Sequence, residues 1–227
     1  MPKNSRTDPP SKPWIALFDL DGTLTWRDTM LPFLLGFLLR RPYRALGLWR
    51  TPAAFWHFWR DRDRGALKSS VIRMIMQGEK RATLDAWAQT FVAGLKPKRR
   101  FRPVALAVLE THRAAGDHLV LLSASPDLYV PLIGELLGFE RTLCTELEWQ
   151  GDRLDGRLKT PNRRGEEKLR CLKWLREQYR NVPVIAYGNS ASDLDHMREA
   201  DRALLVNGDS AARRLAAKWN VAVSYWD

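Results

Sequence analysis

The chain has 227 residues, 45% hydrophobic and 28% charged, the proportions of a globular protein with room for one sizeable core, or a core plus a smaller inserted domain. Two cysteines, Cys144 and Cys171, exclude a disulfide framework and fit a reducing compartment, and the most apolar stretch, residues 30–39, is too short to span a bilayer. The net charge of +11 implies either an anionic partner (a phosphorylated substrate, nucleic acid or an anionic membrane surface) or simply an inert basic surface.

Residues 1–13 read as a disordered leader without the apolar segment of a signal peptide. Residues 14–18 are a short apolar run that breaks into Asp19-Leu20-Asp21-Gly22-Thr23, a buried strand feeding a loop. Residues 29–92 are helical in pattern, with no convincing strand. Residues 96–103 form a basic, proline-bounded linker.

Beyond it strands and helices alternate. Helices are expected at 104–115 and 126–137, the latter with Ser125 as N-cap and Pro126 in its first position. A strand at 118–122 lies between them. Runs at 143–149 and 153–158 flank Gln150-Gly151-Asp152 as a hairpin. Then come a helix at 166–179, strands at 184–187 and 203–206, and helices at 194–200 and 210–219. The alternation predicts an α/β fold, a doubly wound and mainly parallel sheet, with ligands beyond the carboxyl ends of its strands. Residues 29–96 then form an inserted helical cap over that edge, and 14–28 with 97–227 form the core.

Two carboxylates separated by one residue follow the first strand. Asp19 can attack phosphorus and form an aspartyl phosphate. Asp21 can protonate the leaving alkoxide and then activate water. Gly22 permits a sharp turn, and the Thr23 hydroxyl can hold a phosphate oxygen. A calcium loop would place its glycine sixth, whereas here it comes fourth, behind a strand. Acidic residues in a loop by accident remain the bland alternative.

This segment resembles the first motif, DxDGT, of the haloacid dehalogenase (HAD) superfamily, in which the second aspartate accompanies phosphoryl chemistry. The resemblance implies a Rossmann-like core and supplies three further motifs in order. Ser123 ends an apolar strand and, with following backbone N–H groups such as that of Ala124, would bind the transferring phosphoryl group. Lys168 would neutralise phosphate charge, with Arg164 as the competing candidate and a solvated helix lysine as the bland reading. The fourth motif, Gly188-Asn189-Ser190-Ala191-Ser192-Asp193, resembles GDxxxD with Asn189 where a metal-binding aspartate usually stands. The resemblance implies Mg²⁺ held by Asp19, Asp21, Asn189 and Asp193. Either Asp193 binds it with help from Asn189, or metal affinity is weakened, because an amide is a poorer magnesium ligand than a carboxylate. Asp195 is an outsider. Within the superfamily the chain looks like the phosphoserine phosphatase subgroup, and the segments FDLDGTLTWRDT, SASPDLYV, NRRGEEKL and AYGNSASD look more like relatives acting on phosphatidylglycerophosphate or on unassigned substrates. Asp28 occupies the place of an acidic, substrate-facing residue in that subgroup, or else caps the next helix.

In the cap, Arg40, Arg41, Arg44, Arg50 and Arg60 interleave with Tyr43, Trp49, Phe55, Trp56, Phe58 and Trp59. This mixture suits a helix in a membrane interface, an ordinary cap core or, without any recognised module, a nucleic-acid surface. The expected function is a Mg²⁺-dependent phosphatase acting on a lipid or small-metabolite phosphomonoester. It would be cytoplasmic, with peripheral contact to an anionic membrane. The alternatives are a phosphoserine phosphatase-like amino-acid phosphate hydrolase, a phosphomutase, and a metal-impaired fold that only binds an anionic membrane or nucleic acid.

Overall fold

The computed structural model describes residues 13–45, 63–96 and 98–227. Every residue of β1 (Ile15–Phe18) is fully buried, as befits a strand covered on both faces. It pairs in parallel with β2 (His118–Pro126) on one side and β6 (Val184–Gly188) on the other. β3 (Arg141–Thr145) extends the sheet beyond β2, and β7 (Arg202–Val206) and β8 (Ala222–Ser224) extend it beyond β6. All five pairings in this order, β3-β2-β1-β6-β7-β8, are parallel. The two-residue period of β1 sends Ala16 and Phe18 to one face and Ile15 and Leu17 to the other. The first face packs on α4 (Pro103–Ala114) and α5 (Val130–Leu136), the second on α6 (Glu166–Gln178), α7 (Leu194–Met197) and α8 (Ser210–Lys218). The sheet is therefore doubly wound.

Three helices, α1 (Met30–Arg40), α2 (Arg64–Met76) and α3 (Arg81–Ala93), are inserted between β1 and α4. Asp63 caps α2 by accepting from the N–H groups of Gly65 and Ala66 at 2.8 and 3.0 Å. Aromatic contacts join the insertion to the core: the Phe33 ring lies 5.2 Å from Phe91, 5.7 Å from Trp87 and 4.5 Å from Tyr129, centroid to centroid. Trp49, Arg50, Phe55, Trp56, Phe58, Trp59 and Arg60, which suggested a membrane-facing cap, lie outside the described residues, as does the 1–12 part of the expected leader. Among the described residues no helix is long and apolar enough to cross a membrane.

Several local expectations are corrected. Within the expected linker, Phe101 is buried and bridges to Thr25. The Trp26 N–H donates to the Arg100 carbonyl at 3.1 Å and the Arg102 N–H to that of Leu24 at 2.9 Å, so the chain enters and leaves the insertion through one paired neck. The run 143–149 is divided between β3, in the main sheet, and β4 (Leu147–Gln150), which forms the expected hairpin with β5 (Arg153–Leu158). α7 is shorter than expected, and β8 had no sequence signal.

The informative correction is at 126–137. β2 runs on to Pro126 and α5 starts only at Val130, with Pro131 in its first turn. Between the Leu122–Leu143 and Pro126–Thr145 pairs, β2 advances four residues while β3 advances two. Ser123, Ala124 and Ser125 therefore bulge, and bulges re-aim side chains beside sites. Ser125 does not cap a helix; it is turned elsewhere.

Candidate active site

Register places the chemistry. Phe18 pairs with Leu121 and Tyr187, so the residues following β1, β2 and β6 meet at the carboxyl edge of the three central strands. The Asp19 N–H donates to the Tyr187 carbonyl at 2.9 Å. The chain then turns at Gly22, whose φ of 86° is left-handed and favours glycine. A Cβ there would also lie 2.0 Å from Nδ2 of Asn189. Glycine thus lets the first and fourth motifs close on each other.

Asp19, Lys168 and Asp193 form a buried triplet. Lys168 Nζ donates to Oδ1 of Asp19 and to Oδ1 of Asp193, both at 2.6 Å. Thr23 Oγ1 donates to Oδ2 of Asp19 at 3.1 Å. Asp193 Oδ2 accepts from Ser190 Oγ at 2.7 Å and from the N–H groups of Ser190 and Asn189 at 2.9 and 3.2 Å. Two carboxylates thus share one ammonium, a surplus of one negative charge out of water. Burial pushes Asp19 up to about 7, against the pull of Lys168 and with Asp193 adding to the rise. Burial also opposes charge on Asp193, but Lys168 and the Ser190 hydroxyl outweigh it and hold that carboxyl below its ordinary range. The Lys168 ammonium is likewise resisted by burial and sustained by its two carboxylates, well above the ordinary lysine range. His196, buried beside this cluster, is kept neutral, pushed down to about 3 by burial and by Lys168.

Asp21 is held separately. Its Oδ1 accepts from the Thr29 N–H at 2.8 Å and the Thr29 hydroxyl at 2.7 Å, and its Oδ2 from the Ser125 hydroxyl at 2.6 Å. The Thr29 hydroxyl also lies 2.9 Å from the buried Tyr129 hydroxyl. Burial, then the nearby Asp28, raise the Asp21 pKa, and the Ser125 and Thr29 hydrogen bonds oppose them. A raised carboxyl is suited to giving up a proton as well as taking one.

Both carboxylates line a cavity of about 890 Å³ between the sheet edge and the inserted helices, together with Lys168, Asn189 and Arg164. Its outer wall is apolar, from Leu34, Leu38, Val71 and Ile75 among others. Lys68 reaches into it from α2, donating to the Ala124 carbonyl and, at 2.6 Å, to Oδ1 of Asn162. Burial lowers its pKa to about 8, although Asp21 pulls the other way.

The structure thus brings together Asp19, Asp21, Lys168, Asn189, Asp193, Ala124 and Asp28 around one cavity. Asp28 lines the cavity, and its Oδ1 accepts from the Leu31 N–H at 2.8 Å, capping α1. Thr23 is different from expectation: it is fully buried and its hydroxyl is directed at Asp19, so it orients that carboxylate and does not face the cavity. Ser123 is buried too, its Oγ accepting from the Ser125 N–H at 3.0 Å. Asp193, expected as the leading metal ligand, lines the cavity with Oδ1 accepting from Lys168 and Oδ2 from its own loop, and Asn189 lines the same cavity. Asp195 does not line it. Sequence reasoning missed Thr29, Lys68, Ser125 and Tyr129. Ser125 alone carried a signal, a second hydroxyl two residues beyond Ser123, and it was read as a helix cap.

Comparison with known proteins gives a consistent picture. The haloacid dehalogenase-like hydrolase family matches residues 16–198. The curated Protein CicA of Caulobacter vibrioides is 32% identical over 191 residues, covering 84% of each chain. A solved structure from Bordetella pertussis, described as a protein of unknown function, superposes with a TM-score of 0.77 at 21% identity over 94% of this chain and 98% of its own. A phosphoserine phosphatase solved as a phospho-aspartyl intermediate analogue superposes with a TM-score of 0.66 at 13% identity, covering 96% and 95%. At these identities the structural likeness is one of fold.

Proposed function

The chain belongs to the haloacid dehalogenase-like hydrolase family, and from that premise we propose that it is a magnesium-dependent phosphatase cleaving a lipid or small-metabolite phosphomonoester through an aspartyl phosphate on Asp19. The observation that carries this reading is the pairing of two unlike carboxylates on one cavity. Asp19 is clamped by Lys168 and Thr23, while Asp21, two residues on, is held by hydroxyl and amide donors with a raised pKa.

In this reading an Asp19 oxygen attacks phosphorus as the ester P–O bond breaks, and Asp21 gives its proton to the leaving alkoxide. Asp21 then takes a proton from water, the resulting hydroxide attacks the phosphoaspartate, and cleavage of the bond to Asp19 releases inorganic phosphate. Lys168 balances charge at Asp19 throughout. The side-chain oxygens of Asp19, Asp21, Asn189 and Asp193 on this cavity suit magnesium, which keeps several waters and is held by one or two carboxylates plus substrate phosphate. Among the described residues no three His, Cys, Asp or Glu side chains form a metal cluster; Asp19, Asp21, Asn189 and Asp193, which line one cavity, would hold the ion. Bound there, magnesium would neutralise developing phosphoryl charge.

The deciding experiment is a screen of soluble and lipid phosphomonoesters with purified protein, with and without Mg²⁺. Magnesium-dependent phosphate release from at least one is expected, and release from none overturns the reading. Asn189→Asp should lower the half-saturating Mg²⁺ concentration about tenfold, since it adds an anionic oxygen. It should also enlarge the Mg²⁺-induced rise in Tm, while Asp195→Ala leaves both near wild type. An unchanged Mg²⁺ requirement in Asn189→Asp would move the metal away from Asn189.

Lys68 is suited to meeting the anionic end of the substrate. Its folded pKa lies below that of an exposed lysine, so between about 8 and 10.5 the unfolded chain binds more protons and stability rises with pH. Below pH 8 the cost of burying the ammonium is fully present. Lys68→Met should therefore raise KM roughly tenfold or more, as expected for a lost charged hydrogen bond, without lowering Tm at neutral pH. A normal KM would show that Lys68 serves only to tie α2 to the core.

A further inference from the structure

α1 breaks the usual pattern of a surface helix. Residues 30–39 contain no charged or hydrogen-bonding side chain. Phe33, Leu34 and Phe37 are buried, as an inward face should be. Yet the outward face is leucine as well: Leu31, Leu35 and Leu39 are 58, 49 and 84% exposed. Spaced four apart they form one ridge along the helix, continued by Tyr43 at 54%. A helix packed on a core ordinarily shows polar residues there.

The flanks of the ridge are chemically distinct. On one side Leu31 and Leu35 form part of the catalytic cavity's wall. On the other, Leu39 borders a cleft of about 300 Å³ whose lining includes Arg27, Arg40, Lys98 and Arg100. Among the described residues the one carboxylate lining this cleft, Asp28, caps α1. Among the described residues none of the four cations makes an ion pair; Arg40 instead lies over the Trp87 ring at 4.2 Å. An exposed leucine ridge beside a cluster of four basic side chains suits a surface that is apolar within and negative at its face.

From this we infer that the outer face of α1 docks on an anionic lipid bilayer, with Leu31, Leu35 and Leu39 entering the headgroup–acyl boundary and the four cations meeting anionic headgroups. The helix lies in the interface and does not span it. Docked this way, the mouth of the catalytic cavity opens at the membrane surface. The inference concerns where the protein binds and stands apart from the proposed reaction, because lipid binding is read without turnover.

The test is sedimentation of the full-length protein with vesicles of phosphatidylcholine alone, or of phosphatidylcholine and phosphatidylglycerol in equal parts, at low and high salt. Binding to the anionic vesicles is expected, and it should weaken with salt as charges are screened. Leu39→Glu should cut partitioning about tenfold or more, the effect of withdrawing one leucine from apolar surroundings. Lys98→Glu should cut it roughly fivefold or more, the contribution of one basic residue near such a surface. Leu39→Glu should leave Tm and hydrolysis of a soluble phosphomonoester unchanged. No binding to anionic vesicles overturns the inference, as does wild-type binding by Leu39→Glu, which would put the contact on another surface. A wild-type dimer in sedimentation velocity that Leu39→Glu dissociates also overturns it, since a second copy would then cover the ridge.

Discussion

Asp19→Asn is expected to lose turnover by roughly 10⁴-fold or more, the scale seen when a covalent nucleophile is removed, and yet to melt at a higher temperature than wild type. The gain in stability follows from the charge count of the buried triplet. Lys168 faces two carboxylates at 2.6 Å, so neutralising one removes the surplus negative charge and leaves the Lys168–Asp193 pair whole. An asparagine oxygen can still accept from Lys168. The pH dependence has a definite sign. The folded pKa of Asp19, about 7, lies above the 3.8 of an exposed aspartate. Between those values the native state binds more protons than the unfolded chain, so the contribution of Asp19 to stability falls as pH rises through that window. The advantage of Asp19→Asn should be fully developed above pH 7, roughly 2–5 °C in Tm, and should vanish below about pH 4. Calorimetry on both sides of pH 7, phosphate release and acid trapping of a phosphoenzyme together decide the matter. Wild-type-like hydrolysis by the variant would remove Asp19 as nucleophile. Lost activity with a large fall in Tm would show that Asp19 is needed for folding instead.

Lys168→Met should do the opposite to stability. It leaves the carboxylates of Asp19 and Asp193, whose lysine-bonded oxygens are at most about 5 Å apart, buried and without their cation. Removing one partner from a buried ionic cluster typically costs about 3–5 kcal/mol, here roughly a 10 °C fall in Tm. Activity should fall as well, since nothing then balances charge at the nucleophile. One of the two carboxylates will hold a proton to well above its usual range. The penalty is therefore greatest above neutral pH and shrinks as pH falls toward 4, where protonation no longer distinguishes the folded from the unfolded chain. A Tm within 2 °C of wild type at pH 8 would contradict the ionic account of the triplet. The opposed stabilities of Asp19→Asn and Lys168→Met form a stronger test than either alone, because general damage to the site would lower both.

What the amino-acid sequence determined by itself is what neighbouring residues decide among themselves. Alternating apolar runs and amphipathic stretches specified the doubly wound parallel sheet, because burying one strand on both faces needs only its own side chains and helices to cover it. Asp19 and Asp21 were legible because a buried strand must end in a loop, and Gly22 and Thr23 marked that loop. Lys168 was legible only through its spacing in a motif; that it spans Asp19 and Asp193 is a contact over 149 and 25 residues.

The tertiary structure alone decided the rest. Ser125 reaches Asp21 across 104 residues and Lys68 reaches Asn162 across 94, and a hydroxyl or ammonium in a sequence does not announce so distant a partner. The bulge in β2 that turns Ser125 inward arises from its register against β3, a relation between strands that neither strand encodes alone. The pairing of Asp193 Oδ1 with Lys168, while the N–H groups of Asn189 and Ser190 hold its Oδ2, exists only once the chain is folded. In α1 every position from 30 to 39 is apolar or glycine or proline, so periodicity has no polar face from which to tell inside from outside. Only packing revealed that its leucine ridge faces outward.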